Sequence, residues 1–515
     1  MMLNTLKKTA IASLLLLLIT TACEDGLDVS NPNEPTPEVL NTEQGVQRQA
    51  LGLYNNGGGW TEWVIWMLLE GMGDNVVQPW GNFDWGNFVL PIEEISFSDG
   101  ETIAVSALRG AGRTQEESID FVNDRNVSQG SIDQTWIVAY AQINDANLLL
   151  QALDEGVSFV GDAAAKESAY RSWANYWKAF SYMQVALLYE GGLIVDTPGQ
   201  TNENFVDNSE LIAESNRLFD LALSGADNLG TISSTVTPDF FPTNVSLTSY
   251  RQAINTLKAR NILLSKRRAD VTNQEWQEIL TLTQNGLESN DGTMLIDSDE
   301  TTFLSAITGR WRLATNVWHR VSPRVIQVMV ENDDNRLDFF QFADAGGFFD
   351  NNTITQHVNA PWITLDGSPY ASTSPGTPQY FVSAEENMLM QAEAQLALGD
   401  PAAAGALIDA VRSMQDAGLP SVGNATLEDI QKERKVGLFM RGLAFYDARR
   451  FGIIDSKAEG GGLTDVWVYQ VDDATGAARN NLDEEADIFF NFVDYFPIPD
   501  VETDFNPLPE QNPFQ

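Results

Sequence analysis

Thr426–Gly452, TLEDIQKERKVGLFMRGLAFYDARRFG, is the stretch that decides how the rest of this chain is read. Thr426 followed three positions on by Asp429 is a capping-box pattern, in which side-chain oxygens satisfy the unpaired amides that open a helix. Glu428 and Asp429 lie at the positive end of the resulting dipole, Arg449 and Arg450 at its negative end, and Gly452 supplies a stop. Between these signals Val436, Leu438, Phe439, Met440, Leu443, Phe445 and Tyr446 are apolar almost all round. The spacing predicts a single helix packed on several sides.

Helical periods extend outward from it. Pro401–Asp416 precedes it as a partner, and Ala384–Leu398 precedes that. Further back, Trp136, Tyr140, Ile143, Ala146 and Leu150 mark one amphipathic face, and Trp173, Trp177, Phe180 and Val185 a second within Tyr170–Tyr189. Small residues at the predicted crossing (Ala146, Ala174, Ala179) suit antiparallel pairs of the tetratricopeptide type. Leu211–Leu229 with Tyr250–Ser265 forms another pair, and Asn273–Leu287 waits for its partner until Ala384. The fold class is therefore mainly α, a tetratricopeptide-like superhelix of helical pairs over about 131–287 and 384–452.

Two segments do not follow that period: about 56–130 and 288–381, which read as a second, irregular, loop-rich lobe. Five tryptophans fall between Trp60 and Trp85. Trp63 and Trp66 stand at helical spacing in an apolar run through Leu69 and belong in a core. Trp80 and Trp85 lie in QPWGNFDWGNF (78–88), which has no period and is full of Gly, Asn and Pro. Exposed rings among amides ask for a partner. Sugar C–H faces stack on indoles while Asn82, Asp84 and Asn87 bridge hydroxyls, so these five residues are ligand-binding candidates. The second reading is that the rings plug a hole beneath the loop. Trp311 and Trp362, with Trp318, Tyr370 and Tyr380 nearby, are further candidates; Val317 and Val321 beside Trp318 favour packing there.

The chain opens with Lys7 and Lys8, an apolar run Ile11–Ile19 too short to span a bilayer, and Thr20-Thr21-Ala22-Cys23. Cys23 is the only cysteine, so no internal disulfide exists, and its position after a leader and a small residue resembles a lipobox. Residues 1–22 then form a lipoprotein signal peptide and 23–40 a lipid-anchored tether; a plain secretory leader is the alternative. The polar, proline-rich stretch 24–37 reaches about 45 Å when extended, at roughly 3.3 Å per residue. Glu24 and Asp25 resemble tags that route such lipoproteins to the outer face.

The charge balance, 30 Lys+Arg against 72 Asp+Glu, repels nucleic acid and anionic lipid. With 43% hydrophobic residues and no long interior linker, 41–515 reads as one extended body or two interlocked lobes. Catalytic signatures are sparse. His319 and His357 have no second nitrogen or sulfur ligand near them in sequence, and no nucleophile elbow, zinc-protease motif or phosphate loop occurs. The acidic turn Asn290-Asp291-Gly292 is a poor calcium candidate, and no cofactor is expected.

A family resemblance ties these features together. Glu433-Arg434, Leu438-Phe439, Gly442, and Asp447-x-Arg449-Arg450-x-Gly452 resemble the C-terminal helix of SusD/RagB-type nutrient-binding lipoproteins. Leu389-Met390-x-Ala392-Glu393-Ala394, Asp333-Asp334-x-Arg336-Leu337, Leu27, Asp28 and Pro32 near the N-terminus, and the tail Tyr495–Pro499 with Glu502, Asn506-Pro507 and Gln511-Asn512-Pro513 match further family patterns. Gly437, Arg441 and Ala444 depart from it, where relatives often carry two acids and an arginine. The prolines of the tail predict an extended strap over 490–515. The resemblance implies a SusD-like fold and a non-enzymatic outer-membrane lipoprotein. Such a protein captures an oligosaccharide, or in some relatives a peptide, and serves a SusC-like TonB-dependent transporter. A surface glycoside hydrolase and a purely structural scaffold are the alternatives from other classes.

Overall fold

The computed structural model describes residues 37–57, 63–77, 92–104, 115–126, 132–200, 202–230, 246–291, 295–297, 320–342, 362–364, 378–468, 485–509 and 514. Among them the helices are α1 (Glu43–Gly57), α2 (Trp63–Met72), α3 (Gln115–Asn123), α4 (Asp133–Glu155), α5 (Ala163–Leu188), α6 (Asn208–Gly225), α7 (Leu247–Leu264) and α8 (Asn273–Gln284). They continue as α9 (Pro323–Glu331), α10 (Ala384–Ala397), α11 (Pro401–Met414), α12 (Leu427–Gly437), α13 (Ala444–Arg450) and α14 (Asp500–Thr503).

Local chemistry sets where the repeat helices begin. Asp162, Asp207, Ser246, Thr272, Ser383, Asp400 and Thr426 each accept the amide three residues on, opening α5, α6, α7, α8, α10, α11 and α12. Each such cap contributes about 1 kcal/mol. Thr272–Glu275 and Thr426–Asp429 close full capping boxes. The helices then pack in series: α4 on α5, α5 on α6, α6 on α7, α7 on α8, α8 on α10, α10 on α11, α11 on α12. The step from α8 to α10 passes over the whole interval 285–383, as the periods predict.

Aromatic rings fill the centre. Trp177 is fully buried and meets Tyr54, Trp173, Tyr176, Phe180 and Phe381 at centroid distances of 5.4–6.4 Å, mostly edge to face. Ile65, Leu68 and Leu69 of α2 and Val325, Ile326 and Met329 of α9 belong to the same core. These two helices, from the segments 56–130 and 288–381, thus pack into the helical body.

Four antiparallel sheets are present among the described residues. The largest runs β11 (Leu463–Trp467), β12 (Glu485–Phe490), β2 (Ile92–Phe97), β3 (Thr102–Ala104), with Ile488 opposite Ile95. Its buried face, with Val77 and Val468, makes a second small core. Another runs β1 (Val76–Val77), β7 (Arg320–Val321), β9 (Trp362–Thr364), β8 (Phe340–Phe342). Two-stranded ribbons pair β4 (Gly191–Leu193) with β5 (Phe205–Asp207), and β6 (Leu295–Asp297) with β10 (Pro378–Tyr380).

Two expectations need correction. Thr426–Gly452 is not one helix: α12 ends at Gly437 and α13 starts at Ala444. In the turn between, Met440 (φ 58°) and Gly442 (φ 68°) are left-handed. A methionine in that region costs about 1–2 kcal/mol, so something must hold it. Glu70 of α2, fully buried, does so, accepting the Met440 amide at 3.2 Å and the Gly442 amide at 2.8 Å. The tail is extended through Tyr495–Pro499, where Phe496 bridges to Tyr189. It then forms α14 directly after Pro499, a residue that tolerates the position before a helix because no amide is needed there.

Candidate functional site

The turn at the end of α2 positions the candidate segments. Gly73 lies so close to α13 that a Cβ would fall 2.2 Å from the Ala444 carbonyl carbon, so only glycine fits. Asp74 follows in the left-handed region (φ 58°), which turns its carboxylate onto Arg324. Arg324 Nε donates to Oδ2 at 2.8 Å and Nη2 donates to Oδ1. A cation in the first turn of α9 faces the wrong end of the helix dipole and needs such a partner. Ser322 donates its amide to the Asn75 carbonyl at 2.9 Å, and Asn75 Nδ2 donates to Glu70 at 2.8 Å. Burial pushes the Glu70 carboxyl above the usual carboxylate range against the pull of Asn75 and the backbone amides of Met440, Gly442 and Leu443.

This clamp sets β1 against β7. Val77 pairs with Arg320 and Val76 with Val321, and Val321 also pairs with Trp362 on β9. Val77 is three residues before Trp80, and Arg320 is nine residues after Trp311. Val77 and Ile92, the residues flanking 78–91, share the small sheet core. Three segments far apart in sequence are therefore launched from one sheet, and Trp362 opens one of its strands. Trp80, Asn82, Asp84, Trp85, Asn87, Trp311 and Cys23 themselves lie outside the described residues, as do His319 and His357. Asn290, weighed as part of a calcium turn, instead accepts the Ala384 amide at 2.8 Å and donates to Glu385 at 2.9 Å. Among the described residues no group of three or more His, Cys, Asp or Glu is arranged to hold a metal.

The motif residues of the C-terminal stretch fasten the fold behind this sheet. Arg450 donates both Nη groups to Glu393 at 2.7 Å and its Nε to Asp447 at 2.7 Å. Arg434 Nε reaches both Asp447 oxygens at 3.0 and 2.9 Å. Burial alone would raise the Asp447 carboxyl, but the two guanidiniums hold it below the usual range. Arg449 donates to the carbonyls of Leu187, Leu264 and Asp494, each at 2.8 Å, tying α5, α7 and the tail together. Arg336 is enclosed by Asp334, Gln415 and Glu433, with Nη1–Glu433 at 2.6 Å.

Glu393, Glu433, Arg434, Asp447, Arg449 and Arg450 fall within a family signature: the model of the SusD family matches residues 386–514. Over that C-terminal quarter the chain is similar to the SusD family. Solved structures with the same fold extend the likeness beyond the matched region. A putative sugar binding protein from Bacteroides vulgatus superposes with a TM-score of 0.56 at 16% identity, covering 91% of this chain and 98% of that one. A SusD superfamily protein from Parabacteroides distasonis gives 0.57 at 14% identity, covering 92% and 98%. A SusD-like carbohydrate binding protein from Bacteroides vulgatus gives 0.54 at 14% identity, covering 89% and 96%. No curated protein matches the chain in sequence. In this SusD fold the residues that sequence reasoning missed are Glu70, Asp74, Asn75 and Arg324. The Gly73-Asp74 pair after an apolar helix and the arginine directly after Pro323 are the local signals that point to them.

Proposed function

We propose that the protein is a surface lipoprotein that captures an oligosaccharide and passes it to a SusC-like TonB-dependent transporter in the outer membrane. The observation that carries this reading is the SusD fold over 91% of the chain, shared with a protein described as sugar binding. Trp80 and Trp85 would stack on sugar rings, Asn82, Asp84 and Asn87 would bond their hydroxyls, and Trp311 and Trp362 would extend the platform. The convergence of β1, β7 and β9 on one sheet supports grouping these residues. Cys23 would be acylated and hold the protein at the outer face of the membrane through the 23–40 tether. No helix among the described residues is long and apolar enough to cross a membrane, so anchoring falls to that thiol in this reading. The ligand is bound and released unchanged.

A glycan-array screen of the protein lacking residues 1–22 tests this. Oligosaccharide hits that compete with one another are the expected result. Silence on every glycan, with binding to peptides instead, would contradict it.

A further inference from the structure

A cavity of about 680 Å³ opens where α12 and α13 face α9 and the β11–β12 pair, with the Asp74–Arg324 clamp in its wall and none of the proposed platform residues in its lining. Its volume lies within the range of small-molecule sites. Leu438, Leu443, Phe451, Ile453, Ile454 and Val466 supply apolar wall.

The floor has more cation than its anions satisfy. Arg434 is 2% exposed, spends its Nε on Asp447, and leaves both Nη groups buried without a hydrogen-bond partner. A buried donor left unpaired is costly and rare in folded proteins. Beside it Lys435 Nζ reaches only the Asp74 backbone carbonyl, at 3.3 Å, and forms no ion pair among the described residues. The nearby carboxylates are already engaged: Asp74 with Arg324, and Asp447 with Arg434 and Arg450. Burial draws the Lys435 ammonium below its usual range, with Asp74 opposing the shift and Arg324 adding to it.

The mouth carries the opposite sign. Glu331, Asp465 and Glu485 are exposed there and none pairs with a cation among the described residues; Glu428 is paired with Lys432 at 2.8 Å. A cationic floor below an acidic mouth selects against a simple anion, which the mouth repels, and against a neutral sugar, which satisfies neither end.

We propose that this cavity binds a small zwitterion, a free α-amino acid or dipeptide, with its carboxylate on Arg434 and Lys435 and its ammonium towards Glu331 and Asp465. The site shares the Asp74–Arg324 clamp but none of the ligand-binding residues of the glycan platform, and its failure would leave that reading untouched.

Calorimetric titration of the purified protein with leucine, dialanine, glucuronate, glucosamine and glucose tests it. Leucine or dialanine should bind, and their amidated forms should bind at least tenfold more weakly, because the floor then meets no carboxylate. Lys435→Met keeps the apolar stem and should weaken binding tenfold or more without lowering the melting temperature. Asp465→Asn, which tolerates the left-handed backbone at that position (φ 54°), should weaken it a few-fold. Absence of zwitterion binding overturns the proposal. So does equal affinity for glucuronate, for the amidated ligands, or for the Asp465→Asn protein; these readouts stand even if Lys435→Met does not fold.

Discussion

Asp74→Asn separates the anchor of the candidate segments from the stability of the fold as a whole. Asparagine tolerates the left-handed backbone at position 74, so the change removes charge without adding strain. It leaves Arg324, whose side chain is 5% exposed, without its carboxylate. Removing one partner of a buried pair costs about 3–5 kcal/mol. Arg324 retains its bond to the Trp467 carbonyl at 3.1 Å and lines the 680 Å³ cavity, where water can reach it. The loss should therefore sit at the low end, about 3 kcal/mol in urea unfolding. Glu433→Gln is the matched control. It breaks the Arg336 contact at 2.6 Å and the Arg412 contact at 2.8 Å, at a similar cost, on the far side of α12 from β1. Because β1 and β7 launch the segments carrying Trp80 and Trp311, Asp74→Asn should also cost about 1 kcal/mol of preorganisation, roughly fivefold in glycan affinity by calorimetry. Glu433→Gln should leave affinity unchanged. If both variants bind alike, or if Asp74→Asn costs under about 1 kcal/mol of stability, the clamp does not position the site.

Cys23→Ala should release the protein from the outer membrane in fractionation done without the transporter; retention there would refute lipid anchoring. Trp177→Ala, in the fully buried aromatic cluster, should cost roughly 3–5 kcal/mol in denaturant unfolding, and a near-neutral result would mean the core collapses around the gap. The Asp447 carboxyl is held below its ordinary value of 3.8, so its stabilisation is fully present above that pH and is lost as pH falls through the lower folded value. Asp447→Asn should melt below the parent protein at neutral pH, and the gap should close in acid; a constant gap would show that Asp447 does not titrate in that range. Incubation with bound glycans should yield no new reducing ends, and turnover abolished by one carboxylate substitution would overturn the binding-only reading.

What the sequence revealed follows from how local each cause is. The Thr426–Asp429 box and the other caps lie within one helical turn, so they are legible from four residues. The break at Leu438–Leu443 is not, because the carboxylate that holds it belongs to Glu70, some 370 positions away. Likewise Asp334 and Arg336 stand out as a short pattern, but their third partner, Glu433, is visible only once α12 is in place. Trp66 lies in the core, as its helical spacing with Trp63 predicts. The cavity left no sequence trace beyond two adjacent cations, Arg434 and Lys435, since its walls come from five separate stretches.

Side-by-side calorimetric titration of Trp80→Ala, Trp85→Ala and the parent protein with an array-selected oligosaccharide tests the central claim most directly. Stacking and burial of one indole contribute about 1.5–3 kcal/mol together, so each loop variant should bind about tenfold to a hundredfold more weakly while melting as the parent does. Loop variants that melt early and bind normally would contradict the account, placing those rings in the core and the platform elsewhere.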